Sequence, residues 1–292
     1  MADFALVLWC WKGRGRNPWK GRIHYGPQLV NQQARAIRRN MSKPFELICV
    51  TDYPAHEFDS SIRIVDADEH FGQFADMGKC FRRLKAFDPS MKDLFAPRFA
   101  WLDLDMVVVR DLAPLFDHPF DLRCWKSNSL AGQPLNGSIV QMDAGAYAHI
   151  WRDFDPDKTP AAARMEGFRG SDQAVIAYAL RGKEIPFWTW QDGVLYLARN
   201  CQRDRVPEIA RVIFSPGGAK VTDPVVQYRY PWLKPLLDRD REEGEVQPWA
   251  LGEWTERHKD DKPKYFRPQW RRMQEIRQEM RAQAIRDRVA RR

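Results

Sequence analysis

The sequence predicts an α/β fold with a mixed, mostly parallel sheet flanked by helices, and three observations predict it. Residues 99–112, FAWLDLDMVVVRDL, are apolar before two acids and β-branched after them, the pattern of a strand buried on both faces. The chain opens as strand, helix, strand, with apolar runs at 4–9 and 45–50 on either side of a helical stripe. At 292 residues, 44% hydrophobic and 29% charged, it is long enough for one sizeable core with a smaller appendage.

Each element follows from its pattern. Residues 4–9, FALVLW, read as the first buried strand. Residues 11–22 mix cations, glycines and tryptophans, and read equally as a loop over phosphates or as a solvated loop. Pro27 opens a helix in which Leu29, Val30, Gln33, Ala34 and Ile37 share a face, with Arg35, Arg38 and Arg39 towards its C-terminal end. Residues 45–50 and 62–65 give further strands, and 66–76 reads as an acidic, flexible stretch. A helix over 79–87 would pack Cys80, Leu84 and Phe87, leaving Lys79, Arg82, Arg83 and Lys85 elsewhere.

After the central segment, 112–116 predicts a turn into a short helix and 121–125 an edge strand. Residues 135–142 set Asn136-Gly137-Ser138 against a strand, and the trio reads first as a turn. Residues 146–154 predict a helix, 155–163 a Pro/Ala-rich loop, and Asp172 starts a helix capped by Ser171. Strands are expected at 194–197 and 210–214, then a glycine-rich turn, 215–220, ending in Lys220. From Arg229 the chain reads as a linker through Pro268, and 269–292 as a helix. From Arg267 onward nine arginines face three acids, a net +6 of the chain's +8.

Asp103 and Asp105 lie at i and i+2, so in a strand they share a face. Two such charges in a core-forming segment repel and lose hydration, a cost that a divalent cation would offset. Hard oxygen ligands at a strand end suit Mg²⁺ or Mn²⁺ gripping a diphosphate. Five widely spaced cysteines, never in a C-x-x-C pair, disfavour a disulfide framework and a structural zinc. The net charge of +8 favours acidic partners. No run approaches the roughly 20 apolar residues of a bilayer span, and the N-terminus lacks a secretion-signal layout. The expectation is a cytoplasmic protein, peripheral at a membrane if the basic helix meets an anionic surface.

Taken in order, these landmarks resemble the GT-A glycosyltransferases, most closely the family 8-like branch of glycogenin and bacterial lipopolysaccharide galactosyl- and glucosyltransferases, over roughly residues 4–225. Tyr25-Gly26 matches the family's Tyr-Gly beside the nucleotide base, and Lys79 a lysine facing the donor. Residues 102–116 match the Leu-Asp-x-Asp motif and the Asp-Leu-x-x-Leu-Phe after it. Asn136-Gly137-Ser138 permutes an Asn-Ser-Gly, and Asp172-Gln173 matches the pair that approaches the transferred sugar. The late motif keeps Gly217 and Lys220 but has Phe214 where the family has a metal-binding histidine.

The resemblance implies a GT-A, Rossmann-like catalytic domain over 1–228 and a Pro/Trp-rich segment with a basic helix over 229–292. It implies a hexosyltransferase that moves sugar from a nucleotide donor, usually UDP-linked, to a glycan, lipid-linked or other hydroxyl acceptor, with retention. Asp103 and Asp105 would hold a divalent cation, Mn or Mg. Tyr25, Lys79, Asp103, Asn136, Gly217 and Lys220 would bind the donor, and Asp172 and Gln173 would act on the sugar. Two alternatives stay open: a catalytically silent nucleotide- or glycan-binding relative, motivated by Phe214, and a nucleic-acid-associated protein using the arginine tail.

Overall fold

The structure, a computed structural model, describes residues 2–12, 25–77, 80–127, 133–215, 220–221 and 224–240. Strands β1 (Phe4–Cys10), β2 (Glu46–Thr51), β3 (Arg63–Asp66), β4 (Arg98–Leu102), β6 (Leu122–Lys126), β7 (Leu135–Asp143) and β8 (Phe187–Trp188) form one seven-stranded sheet. Its order is β3-β2-β1-β4-β7-β6-β8. The pairs β3–β2, β2–β1, β1–β4 and β6–β8 are parallel, while β7 runs antiparallel to β4 and β6. A second sheet, β5-β10-β9, joins β5 (Met106–Val108), β9 (Val194–Tyr196) and β10 (Val212–Phe214).

Alternation along β1 explains why it is apolar throughout. Ala5, Val7 and Trp9 face one core, with Ile48, Val50, Phe99 and Trp101; Leu6, Leu8 and Cys10 face another, with Leu47, Cys49, Ala100 and Leu102. Both faces are covered, so neither tolerates polar residues. The helix Pro27–Arg39 covers the second face with the expected stripe, Leu29, Val30, Gln33, Ala34 and Ile37, all buried. A third core lies between Val107, Leu195 and Ile213 of the small sheet and Tyr230, Leu233 and Leu237 near the end of the described chain. The helix Leu233–Asp238 is pinned there: Gln32 Nε2 donates to the Leu237 carbonyl at 2.7 Å, and buried Asp240 pairs with Arg39.

Several sequence expectations are corrected. The central segment is two strands rather than one: β4 ends at Leu102, β5 begins at Met106 in the other sheet, and the acids sit in the break. An apolar pattern on both sides hides this, because each half is buried in its own sheet. The stretch after Asp66 is ordered, since Asp66 Oδ1 caps the helix Ala67–Phe71 by accepting from the Asp68 and Glu69 amides. Asn136-Gly137-Ser138 lies inside β7 rather than in a turn. Strand β6 is interior, between β7 and β8. A helix, Thr159–Met165, occupies the expected Pro/Ala-rich loop, with Pro160 tolerated in its first turn.

The helix expected over 79–87 is a 3₁₀-helix, Phe81–Phe87. With about three residues per turn, i and i+3 eclipse, so Cys80, Arg83 and Ala86 form one row and Phe81, Leu84 and Phe87 another. Arg82 and Arg83, placed away from the packed side by an α-helical period, are buried.

Candidate functional site

The carboxyl ends of β1 and β4 lie side by side at the point where the strand order turns from β1 back through β2 and forward through β4, the crevice where open α/β sheets bind ligands. Just beyond β4, the Asp103 amide donates to the Ser138 carbonyl of β7 at 2.8 Å, so Asp103 remains tied to the large sheet. Two residues on, the Asp105 carbonyl accepts from the Ser215 amide at 3.0 Å, tying Asp105 to the end of β10 in the small sheet. Leu104 between them is buried, and Gln33 Nε2 donates to the Met106 carbonyl at 3.0 Å. The two acids therefore meet across a seam, held by backbone contacts from different sheets.

Arg83 is the hub of the site. Its Nη1 donates to Asp103 Oδ1 at 2.6 Å, and its Nε lies 2.9 Å from Asp172 Oδ2, close enough for an ion pair although the angle is poor for a hydrogen bond. The residue is 6% exposed, Asp105 7% and Asp172 3%, so these charges are largely withdrawn from water. Burial alone would lower the Arg83 pKa, but the Asp172 and Asp103 carboxylates outweigh it and push it well up. Burial pushes the Asp172 carboxyl up against the pull of Arg83. It does the same to Asp105, against the pull of Lys220, with the Asp103 charge adding to the rise. The Lys220 ammonium pairs with Asp105 Oδ2 and lies 5.9 Å from the centre of the Tyr25 ring.

Tyr25 stands where the chain enters its first helix, its carbonyl accepting from the Cys10 thiol at the end of β1 at 3.3 Å. Its buried hydroxyl has no partner among the described residues, and burial, then the Asp105 and Asp103 charges, push its pKa up and keep it neutral. Asn136 is spent locally, its Oδ1 accepting from the Ser138 amide at 2.8 Å. Gln173 Oε1 accepts from the Gly137 amide at 3.3 Å and its Nε2 donates to the Arg169 carbonyl at 3.2 Å, joining the helix Asp172–Ala179 to β7. The approach is tight at Gly137, where a Cβ would sit 3.3 Å from the Gln173 Cβ. Ser171 does not cap the helix; its hydroxyl donates instead to Asp172 Oδ1 at 2.9 Å.

The structure thus brings together Tyr25, Asp103, Asp105, Asp172 and Lys220, with Asn136 and Gln173 one layer behind. Lys79 and Gly217 lie outside the described residues, as do the glycine-rich turn 216–219, most of the basic loop and the arginine-rich tail. The residue that sequence reasoning missed is Arg83. Its signal was the three-residue spacing Cys80, Arg83, Ala86, visible only if that segment is read with a 3₁₀ period. Cys80 stands beside it, its thiol pushed up to about 11 mainly by burial.

No family model matches the chain, and no curated protein is similar to it in sequence. Solved structures do match. The galactosyltransferase LgtC, in complex with donor and acceptor sugar analogs, superposes with a TM-score of 0.55 at 12% identity, over 84% of this chain and 99% of that one. WbbM, a bifunctional glycosyltransferase, gives 0.53 at 12% identity over 84% of this chain and 50% of that one. The glycosyltransferase GlyE of Streptococcus pneumoniae gives 0.51 at 13% identity over 82% and 63%. With its strand order and its break between β4 and β5, the chain has the GT-A fold of these glycosyltransferases.

Proposed function

We propose that the protein is a glycosyltransferase that moves a hexose from a nucleotide sugar, UDP-linked, to a hydroxyl of a glycan or lipid-linked acceptor, with retention of configuration. The observation that carries this reading is the seam itself. Asp103, Asp105 and Asp172 converge with Arg83 and Lys220 at the carboxyl edge of the sheet, in a fold shared with glycosyltransferases.

In the transfer, the bond between the anomeric carbon and the diphosphate oxygen breaks, and its electron pair stays on that oxygen. Fixed positive charge beside the oxygen lowers the barrier more than it stabilises the donor. Lys220 is the chain's group for that task. Tyr25 offers a ring face to the nucleotide, beside a hydroxyl that has no partner among the described residues. Asp172, anchored by Arg83 and Ser171, is held in one orientation towards the sugar hydroxyls. Asp103 and Asp105 are the residues that would hold a divalent cation. Among the described residues no group of three His, Cys, Asp or Glu can hold a metal. Two carboxylates completed by donor phosphates is, however, a common way to bind Mg²⁺. Such an ion supplies positive charge at the leaving diphosphate.

The test is release of nucleotide from a panel of nucleotide sugars with Mn²⁺ present, by the wild type and by Asp103→Asn. Turnover of one donor, falling by about 10²-fold or more in the variant, is the expected result. Wild-type-like turnover in the variant would sink the assignment. One observation favours a second reading, a silent nucleotide- or glycan-binding relative: the Gln173 amide is spent on Gly137 and Arg169. UDP binding with no turnover of any donor would select it. The arginine-rich tail is read as an anionic-surface contact, which requires that deleting 269–292 release the protein from anionic vesicles. Retained binding would end that part of the reading.

A further inference from the structure

Resting on the nucleotide-sugar reading, we infer that Lys220 is an exchangeable counter-ion. It neutralises Asp105 in the free protein and passes to the donor's diphosphate as a divalent cation takes its place, so that metal and nucleotide bind as a pair.

Four observations meet here. First, Asp105 is buried and its Oδ2 is taken by the Lys220 ammonium, while Asp103 Oδ1 is taken by Arg83. A dication arriving alone would enter a site whose two carboxylates are already paired, one of them with an ammonium at contact distance. Like charges that close repel strongly in a poorly hydrated setting. Second, the two cations are not equivalent. Arg83 is braced by a second carboxylate, Asp172, whereas Lys220, among the described residues, is held otherwise by the Tyr25 ring face at 5.9 Å alone. Lys220 is therefore the partner that can leave.

Third, the segment joining β10 to Lys220 reads Ser215-Pro-Gly-Gly-Ala, which has no histidine, cysteine or carboxylate side chain. At its start Phe214 is wholly buried, with its ring 5.2 Å from that of Trp125. Residues 216–219 thus supply no third strong metal ligand, and the residue that follows them, Lys220, pairs with Asp105. Fourth, Asp103, Asp105 and Asp172 against Arg83 and Lys220 leave the cluster one negative charge in excess. A bare diphosphate meets net repulsion, and a bare dication meets Lys220. Arriving together they exchange partners: the ammonium goes to phosphate and the cation to Asp105, so that Asp105 has a cation beside it before and after. Lysine suits this role because its ammonium is a compact point charge on a flexible stem.

Linkage makes the inference quantitative, because the factor by which UDP tightens Mn²⁺ must equal the factor by which Mn²⁺ tightens UDP. Isothermal titration of the full chain with Mn²⁺ alone, UDP alone, and each in the presence of the other measures both. The expected coupling in the wild type is about 10-fold or more, within the usual range for linked sites. In Lys220→Met, Mn²⁺ alone should bind more tightly than to the wild type, UDP should bind more weakly, and the coupling should shrink. Lys220→Arg, which keeps the charge, should retain most of the coupling, and thermal melts check that both variants fold. The wild-type titrations decide the matter even if a variant does not fold. Mn²⁺ binding to the nucleotide-free wild type with no gain from UDP overturns the exchange while leaving the nucleotide reading intact. Failure of UDP to bind at any Mn²⁺ concentration overturns both.

Discussion

Arg83 and Asp172 come from a 3₁₀-helix and an α-helix that share one core on the same face of the sheet, and they meet with Nε 2.9 Å from Oδ2 while the same guanidinium donates to Asp103. One side chain thereby fixes where the helix Asp172–Ala179 stands relative to the acids at the end of β4. A buried cation between a buried carboxylate, Asp172, and a half-buried one, Asp103, is costly to remove, since among the described residues it is the cation paired with each.

Arg83→Met should therefore destabilise the protein by about 3–5 kcal/mol, the range for breaking a buried ion pair. Asp172→Asn should cost less, because Asp103 still neutralises Arg83. Urea unfolding of the two variants measures the order, and equal losses would contradict the hub arrangement.

Gly137→Ala should be destabilising by about 1–3 kcal/mol, the cost of overpacking a tight contact. Its new Cβ would meet the Gln173 Cβ at 3.3 Å, tighter than an ordinary contact, so the helix or β7 must give slightly. Thermal unfolding reads the loss, and pairing the change with Gln173→Gly should recover part of the crowding cost. An unchanged midpoint in Gly137→Ala would show that the helix gives way freely.

Stability should fall on acidification through His118. Burial, then the Arg123 and Arg98 charges, lower its pKa from 6.5 to about 4. The unfolded chain takes up a proton near pH 6.5 that the folded chain refuses until near pH 4. This contribution is therefore complete above pH 6.5 and is lost progressively as the pH drops towards 4. Urea midpoints of the wild type should decline across that window more steeply than those of His118→Gln. Parallel profiles would remove His118 from the account.

Asp240→Ala should loosen the helix Leu233–Asp238 by removing the buried partner of Arg39. A hydrogen-bonded charge of this kind is worth about 1.5–3 kcal/mol. Limited proteolysis should cut faster between residues 221 and 233 in the variant, and an unchanged cleavage rate would mean that Gln32 and the apolar contacts suffice.

How much of this was written in the sequence depends on what each residue's neighbours are. Strand β1 and the helix Pro27–Arg39 were legible because burial on two faces, or along one stripe, leaves a period in the residues themselves. The Asp103 and Asp105 pair was legible as two acids in an apolar segment. The break between them was not, because the contacts that make it, to Ser138 and Ser215, are backbone amides and carbonyls that any residue carries. Arg83 was missed for a different reason: its burial depends on two acids distant in sequence, 20 residues on at Asp103 and, later in the chain than β7, Asp172. Asn136-Gly137-Ser138 has the composition of a turn, and partners distant in sequence make it a strand: Trp125 pairs with Asn136, the Trp101 indole donates to the Gly137 carbonyl, and the Gln173 side chain accepts from the Gly137 amide.

Because Asp103 hangs from one sheet and Asp105 from the other, the gap between their carboxylates acts as a gauge of how the two sheets are aligned. A change deep in the small sheet, at buried Ile213 or Leu195, would reset that gauge without altering either acid. The spacing of the two carboxylates is then set from behind, by the packing of apolar side chains.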